Sequence, residues 1–567
     1  MPGTAVATQA AAAAAAEGTG FAEQEKQLSG PEKKGIRFWL IIASLMVVAL
    51  LPAIDMTIIS TALPTITQDL PTSSVSPIWV TSAFLLTTTT FQPVMGALAD
   101  VFGRRAALVV AVVLFLAGSV IAAVCQSMLV LVIGRAIQGI GGGGITALGE
   151  IIISDITTLL ERGMYMGFLS LIFALASFIA PVLGGAFSQS NWRWIFWLNL
   201  PIAGVALILI IVTMSKLQRP AVHWKQRMHR MDLPANLLLL ASCIAVLIGV
   251  TDGGLTHPWS SYKIIVPLVL GVAGLAAFFV IEFTKNPLAK DPVLPLRLFK
   301  HPTALASLLF TFFHGVVVYG EVYILPLYFQ AIKDASPIHS AVDVFPATVP
   351  GPVAAIVAGI IMSMTGKYRF QIIFSWLVTT LGCGLLILLD VDTPKWKWVI
   401  FQLLPGFGIG SLFSLTLPPI QATNSPKDLA YVTAAYAFMR SFGSVWGIAM
   451  GTDIFVGRSN ILLERIDEAA GGVLTSKFGL TGKTALGLAP EIHKILPPEL
   501  LGPVRGAYMS ALRSAFIAFV PLAGAGLLLS LVIKDIPLPN YNLSDHGLMR
   551  TESARSSRTA VDANERA

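Results

Sequence analysis

The sequence predicts an all-α membrane protein: fourteen transmembrane helices, arranged as two six-helix bundles with two further helices inserted between them. Three observations lead there. The first is composition. Of 567 residues, 55% are hydrophobic and 12% charged, with a mean hydropathy of +0.75. Soluble domains are about 25% charged, so a large soluble enzyme is excluded. The second is a series of apolar runs, each near the roughly 20 residues that a membrane-crossing helix needs. The third is an internal repeat that divides those runs.

Taken in order, residues 1–35 hold an alanine run (Ala10 to Ala16) and then a Glu, Lys, Gly and Pro mixture. That composition reads as a disordered tail. A signal peptide is not expected, because the first apolar run starts only near Phe38. Glu17, Glu23, Glu25 and Glu32 argue against a mitochondrial presequence. Apolar runs follow at 38–63, 78–98, 105–125, 128–152, 164–187, 194–214, 233–251, 264–283, 303–330, 341–363, 370–390, 397–420, 430–454 and 512–533. In lipid every backbone amide must pair within its own segment, so these runs read as helices. The alternating ten-residue segments of a β-barrel do not occur in the sequence. Cys125, Cys243 and Cys383 all fall inside apolar runs, so no disulfide framework is expected.

Orientation follows from Lys and Arg. With the N-terminus inside, 24 of the 38 cations fall in inside segments. The short outside loops hold only Arg193, Lys263, Lys333, Lys395 and Lys397. Both termini are therefore expected in the cytoplasm. Trp79, Trp192, Trp194, Trp197, Trp259, Trp396 and Trp398 mark outer span ends, as an aromatic belt would. The formal charge of +7 thus reflects topology and does not point to nucleic acid.

The repeat is visible in three places. Gly96-Ala-Leu-Ala-Asp100-Val-Phe-Gly103-Arg104-Arg105 follows the second run. Gly359-Ile-Ile-Met-Ser363-Met-Thr-Gly366-Lys367-Tyr-Arg369 follows the tenth, at an offset of 263. Leu63-Pro64 matches Leu325-Pro326 at 262, and Gly139-Ile-Gly141 matches Gly406-Phe-Gly408 at 267. A duplicated six-helix unit follows, with the seventh and eighth runs between the copies. Such repeats characterise secondary transporters, whose substrates bind near the midplane between halves. The expected organisation is a tail at 1–35, a first bundle at 36–215, a linker with two extra helices at 216–300 and a second bundle at 301–534. The second bundle includes an outer loop at 455–511, and residues 535–567 form a cytoplasmic tail. The outer loop carries an amphipathic stretch, Ile461 to Ile466, and Pro497-Pro498, and is expected to be partly helical.

Charges inside the spans point to mechanism. Each costs roughly 2.5–3.5 kcal/mol on insertion scales and therefore tends to face a cavity or a partner. Asp55, Arg135, Glu321 and Arg440 lie in the first, fourth, ninth and thirteenth runs. By the repeat, Asp55 and Glu321 sit about one helical turn apart on a similar face. An acid near the midplane can bind a proton or a cationic substrate. Arg135 stays charged and can tune a neighbouring acid. Glu150 and Asp155, at the inner end of the fourth run, read as solvated or capping residues. His314 reads as a packed histidine rather than a proton relay.

These motifs resemble those of a known family. Gly96 to Arg105 is similar to the signature loop of the major facilitator superfamily, and Ile133-Gly134-Arg135-Ala-Ile-Gln138-Gly139-Ile-Gly141 to its fourth-span motif. Ala180-Pro181-Val-Leu-Gly184-Gly185 resembles the fifth-span motif associated with antiporters. Ile54-Asp55-Met-Thr57 through Ala62-Leu63-Pro64 resembles the first-span motif of the fourteen-span drug:proton antiporters. Within that group the sequence looks most like fungal toxin and multidrug efflux pumps. Pointers are Gly139–Gly144, Ile151 to Asp155, Ser190-Asn191-Trp192-Arg193-Trp194 with Asn199-Leu-Pro201, and Leu325-Pro326-Leu-Tyr328-Phe329-Gln330.

The resemblance implies the major facilitator fold and a cytoplasmic gate at Gly96, Asp100, Gly103, Arg104 and Arg105. It implies an antiport element at Pro181, Gly184 and Gly185, and proton coupling through Asp55, Arg135, Glu321 and Arg440. The second copy carries Ser363 where the gate motif has its acid. The implied activity is proton-coupled efflux of small amphipathic molecules by a monomer in the plasma membrane, with the vacuolar membrane as alternative. Its partners would be a small-molecule substrate, protons and membrane lipid. Uptake or vacuolar transport of amino acids or iron chelates is the alternative within the fold. A non-transporting receptor or sensor is the alternative outside it, although the short Ser/Arg-rich end (Ser553, Ser556, Ser557) offers little as a signalling tail. No enzyme activity, metal or cofactor is expected, because the spans contain no metal-ligand cluster or nucleophile–base pair. Gly139 to Gly144 fits G-x-G-x-x-G, but no strand precedes it. Gly482-Lys483-Thr484 lacks the first glycine of a P-loop, since Lys477 stands there. Asn542-Leu-Ser544 is a glycosylation sequon in a tail expected to be cytoplasmic.

Overall fold

The structure is a computed structural model. It describes residues 34–70, 79–216, 233–254, 256–283, 296–425 and 428–538. Most of the two tails, the sequon at Asn542 and residues 217–232, 255 and 284–295 of the linker lie outside the described residues.

Among the described residues, fourteen long helices carry the fold. They are α1 (Ile36–Asp69), α2 (Trp79–Phe102), α3 (Arg104–Ala123), α4 (Met128–Ile156), α5 (Leu159–Ser190), α6 (Asn199–Thr213) and α7 (Leu233–Asp252). They continue with α8 (Tyr262–Phe283), α9 (Pro302–Leu327), α10 (Pro350–Thr365), α11 (Arg369–Leu386), α12 (Lys395–Leu415), α13 (Leu429–Ala469) and α14 (Pro498–Ser530). Among the described residues there is no strand, only one isolated bridge between Gly253 and His257.

Among the described residues, twelve helices are long and apolar enough to cross a membrane. The two exceptions are α2 and α13, which occupy the expected runs 78–98 and 430–454. In α2, Thr87–Thr90, Gln92 and Pro93 dilute the apolar residues; in α13, Arg440, Asp453 and several glycines and serines do so. Both helices are largely enclosed by others, so neither needs a lipid-facing apolar surface. Two expected runs are also subdivided. The short helix Trp194–Trp197 precedes α6, and Pro337–Asp343 and Phe345–Thr348 precede α10.

Local sequence explains the helix ends. Ser127 and Thr158 cap α4 and α5 by accepting from Val130 N and Glu161 N. Gly103 (φ +92) lets the chain turn at once from α2 into α3, a conformation that other residues rarely adopt. Gly366 (φ +67) closes α10 at the matching place in the repeat.

The same pairs of helices pack in both copies. α3 lies on α4, α2 on α4, α1 on α5 and α1 on α6; correspondingly α11 lies on α12, α10 on α12, α9 on α13 and α9 on α14. Two seams join the halves, α5 against α10 and α2 against α13, and they are exchanged by the repeat. Both seams need glycine. A Cβ on Gly359 would lie 2.4 Å from Met164 N, and one on Gly96 would lie 2.8 Å from the Ala434 Cβ. The α4 glycines serve the same purpose within a bundle: a Cβ on Gly141 would lie 2.4 Å from Phe115 N. That accounts for the G-x-G-x-x-G pattern as packing. Of the inserted pair, α7 packs on α2 and α13, and α8 packs on α7.

The segment 455–511 is helical in part. α13 runs on to Ala469, α14 starts at Pro498, and Val473–Phe478, Ala485–Leu488 and Ile492–Ile495 lie between. Leu474, Leu480, Ala485 and Ile492 share one apolar core with Tyr328 of the α9 end, Trp398, Phe455 and Tyr508. Below, the first face is the one at which α1, α3, α5 and α9 begin; the second face is the opposite one.

Candidate functional site

Asp55 and Arg135 form a buried pair. Both side chains are fully enclosed, and Arg135 Nη1 donates to Asp55 Oδ2 at 2.5 Å. The same Nη1 donates to Gln138 Oε1 at 2.7 Å, and Arg135 Nε donates to the Val80 carbonyl at 3.0 Å. Asn199 Nδ2 donates to Asp55 Oδ1 at 3.2 Å, while Gln138 Nε2 donates to Ser119 Oγ at 2.9 Å. The guanidinium lies over the Phe84 ring, 4.2 Å from its centroid. Helices α1, α2, α3, α4 and α6 therefore converge on one network in which both carboxylate oxygens are used. A buried charge needs such partners, because leaving one unpaired is strongly destabilising. The sequence did not single out Ser119, and it marked Asn199 as part of a resemblance and not as a partner of Asp55. A lone Asn at the start of an apolar helix was the available signal.

Glu321 has a different setting. It is 3% exposed on α9 and accepts a hydrogen bond from Cys383 Sγ of α11 at 3.0 Å. No cation pairs with it among the described residues. Asp55 and Glu321 thus each turn into their own bundle. Between them, the Tyr319 hydroxyl of α9 reaches Met56 Sδ of α1 at 3.6 Å, across the junction of the halves.

Arg440 bridges the halves. It donates from Nη2 to Glu150 Oε1 of α4 and from Nη1 to the Tyr436 hydroxyl at 3.1 Å. It also lies 4.6 Å from the Phe413 ring centroid. The solvated or capping reading of Glu150 and Asp155 is corrected here: each is 1% exposed and ion-paired. Their depth comes from α13 and the α2–α3 turn closing over the first-face end of α4, which no local pattern announces.

The gate motif surrounds Arg104. That guanidinium pairs with Asp100 one turn back and donates from Nε to Asp155 Oδ2 at 2.8 Å. Arg105 donates to the Ile211 carbonyl at 2.9 Å, and Gly96 lies against Ala434. The buried Arg104 guanidinium is thus compensated by two carboxylates. In the second copy Ser363 stands in for the acid. There the C-terminal Asp535 instead accepts from Tyr368 N and Arg369 N, at 3.3 and 3.0 Å, at the start of α11.

A further junction was not anticipated. Buried Arg162 of α5 donates to Gln421 Oε1, to the Ser154 carbonyl at 2.5 Å and to the Thr157 carbonyl at 3.1 Å. Gln421 Nε2 donates to Thr433 Oγ1 at 2.8 Å and to Ser154 Oγ at 3.1 Å. Together with Glu150–Arg440, this junction ties the two halves near the first face. Pro181 lies inside α5, which nonetheless continues to Ser190. Gly184 is buried, and Gly185 faces Ile338 at ordinary contact distance. This motif therefore lies along the α5 seam toward the second face. Among the described residues no group of His, Cys, Asp and Glu could hold a metal ion.

The chain is similar to known proteins in sequence and in fold. Residues 45–448 match the Major Facilitator Superfamily model. The MFS-type efflux pump MMF1 of Pseudozyma antarctica (strain T-34) is 46% identical over 509 residues, covering 90% of this chain and 93% of that protein. The efflux pump FUS6 of Gibberella fujikuroi is 38% identical over 534 residues, covering 92% of this chain and 95% of that protein. The solved structure of the MFS proton:xylose symporter XylE matches the fold with a TM-score of 0.54 at 12% identity, covering 89% of this chain and 98% of that one. This chain is a multi-pass membrane transporter, not an enzyme, and belongs to the major facilitator superfamily.

Proposed function

We propose that this protein exports small amphipathic molecules, in the manner of a toxin, secondary-metabolite or drug efflux pump, in exchange for protons. The observation that carries the coupling is the contrast between two buried acids. Asp55 is tied to Arg135, whereas among the described residues Glu321 accepts a thiol hydrogen from Cys383 and pairs with no cation. Export is supported by relatives named as efflux pumps along nearly the full length of both chains.

In this reading, two six-helix bundles, 36–215 and 301–534, rock about the substrate, and the inserted pair within 216–300 sits outside. The first face is cytoplasmic, both termini lie on it, and the membrane is the plasma membrane. A proton from the acidic outside neutralises Glu321 or Asp55 and favours the state open to that side. Its release inside resets the pump. The Glu150–Arg440, Arg162–Gln421 and Asp100–Arg104–Asp155 contacts hold the first face closed, and Arg105 steadies the turn. Pro181, Gly184 and Gly185 let α5 bend against the second half. The monomer suffices, with lipid around it.

The test uses purified protein in sealed vesicles with an imposed pH difference and rhodamine 6G as an amphipathic probe. Driven transport of the dye is expected from the wild type, with proton movement in the opposite direction. Asp55→Asn and Glu321→Gln variants that both still concentrate the dye against its gradient would overturn the coupling.

A further inference from the structure

A stripe of polar residues runs along α9 from Glu321 to the first face. Ser307, His314 and Glu321 are spaced by seven, which puts them on one side of a helix. All three are at least nine-tenths buried, and Thr303 and Thr311 beside them are fully buried. Such a stripe is unexpected in a helix that otherwise reads Leu, Phe, Val and Ala. Ser307 Oγ and His314 Nδ1 are buried without a hydrogen-bond partner among the described residues. Buried polar atoms of that kind call for an explanation, and a role in moving protons is one.

The histidine is held in a defined form. His314 Nε2 lies 3.0 Å from the Ile409 carbonyl of α12. A carbonyl only accepts, so the proton sits on Nε2 and the lone pair is left on Nδ1. The helical rise separates Glu321, His314 and Ser307 by about 10 Å at each step, so a proton passing between them would need intervening water. The groups facing His314 are the Ile409 carbonyl from α12 and Arg440 from α13, which is within electrostatic reach. A Cβ on the adjacent Gly315 would lie 2.1 Å from the Arg440 carbonyl, so the two helices are in direct contact at this level. Glu150 of α4 pairs with Arg440 and offsets its charge. Cys383 of α11 faces Glu321.

We propose that His314 relays the proton between Glu321 and the first face, along the Ser307–His314–Glu321 side of α9. This inference rests on the proton-coupled reading given above. The carboxyl of Glu321 gives its proton through water to Nδ1 of His314, leaving a carboxylate and an imidazolium. The imidazolium then returns the proton from Nδ1, by way of the Ser307 hydroxyl, to water at the first face. Parting of the halves there separates Glu150 from Arg440. The exposed arginine charge repels the imidazolium and drives the proton off, so release follows opening.

The experiment compares full-length His314→Gln, His314→Ala, Glu321→Gln and wild type in vesicles, with rhodamine 6G as probe. Transport driven by a pH difference and dye exchange without one are both measured. His314→Gln is expected to lower driven transport by at least about tenfold and to leave exchange within about twofold of wild type. Imidazole added to His314→Ala should restore part of the driven transport. Loss of exchange together with driven transport in His314→Gln would make the histidine a packing residue and overturn the relay. Wild-type driven transport in His314→Gln, with loss in Glu321→Gln, would overturn the relay alone. Wild-type driven transport in both variants would overturn the relay and the assignment of coupling to Glu321; if Asp55→Asn then also kept driven transport, the proton-coupled reading would fall as well.

Discussion

The two halves of the molecule are built on one plan but hold their acids in different ways. In the first, Asp55 meets a guanidinium, an amide and, through Gln138, a serine. In the second, Glu321 meets one thiol. The register of the repeat explains the difference. An offset of 267 places Gln402 where the first half has Arg135. Gln402 donates to the Asp343 and Trp398 carbonyls, at 3.1 and 3.2 Å. The second copy therefore has no arginine at that position to neutralise an acid. A carboxylate bound to a buried guanidinium is costly to protonate, since the arginine would be left uncompensated. An acid without a cation is free of that penalty. The two frames are similar, but Arg135 stands beside the acid in one and Gln402 occupies the matching position in the other.

That contrast can be broken from either side. The largest effect is expected from Asp55→Ala, which orphans Arg135 at the centre of five helices. A loss of about 3–5 kcal/mol should appear as a collapse of the thermal transition in detergent. Glu150→Ala orphans Arg440 in the same way, but nearer the first face, where water can reach the charge once the halves part. A loss of about 2–3 kcal/mol is expected there, along with easier labelling of a cysteine introduced near Thr433. Glu321→Gln should be far milder on the fold, within about 1 kcal/mol, because no cation is abandoned. Its melting curve should overlay the wild type while driven transport falls by at least about tenfold. Equal destabilisation by Asp55→Ala and Glu321→Gln would erase the distinction drawn here.

The smallest effect belongs to an exposed latch at the second face. Asp69 accepts from Trp192 Nε1 at 2.8 Å and from Arg193 Nη1 at 3.1 Å. These bonds, that of Trp192 first, hold its carboxyl below the usual aspartate value of 3.8. A lowered value means the bonded carboxylate stabilises the fold at pH values above 3.8. That contribution fades as pH falls through the lowered value. Thermal melting of Asp69→Asn should thus differ slightly from wild type at neutral pH and converge with it in strong acid.

Much of the fold was legible because lipid leaves a chain few options. A long apolar run must be a helix, and the glycines, prolines and cations that recur near offset 263 mark a duplication. Asp55 and Arg135 stood out for the same reason, as charges where charge is costly. Other residues did not. Arg162 counted only as one more inside cation, yet Ser154 from the end of the preceding helix and Gln421 from the other half of the chain enclose it. Cys383 looked inert until α11 brought it to Glu321. His314 read as packed, and its Nε2 is; its second ring nitrogen is buried without a partner. The Thr87–Thr90 run makes α2 less apolar than its neighbours, and α4 and α13 cover it.

By itself, then, the sequence determined what each segment needed: which stretches must be helical, where charge was paid for by a partner and where the chain had been copied. These follow from burial and hydrogen-bond saturation, which act on each segment alone. Only the tertiary structure decided which partner answered each need. Arg135 could reach Asp55 because α1 and α4 cross at that depth, and Arg440 met Glu150 because the α2–α13 seam brings α4 near it. Ion pairs and orphaned nitrogens depend on distances of a few ångströms between helices far apart in the chain, and those distances are set only when the whole bundle packs.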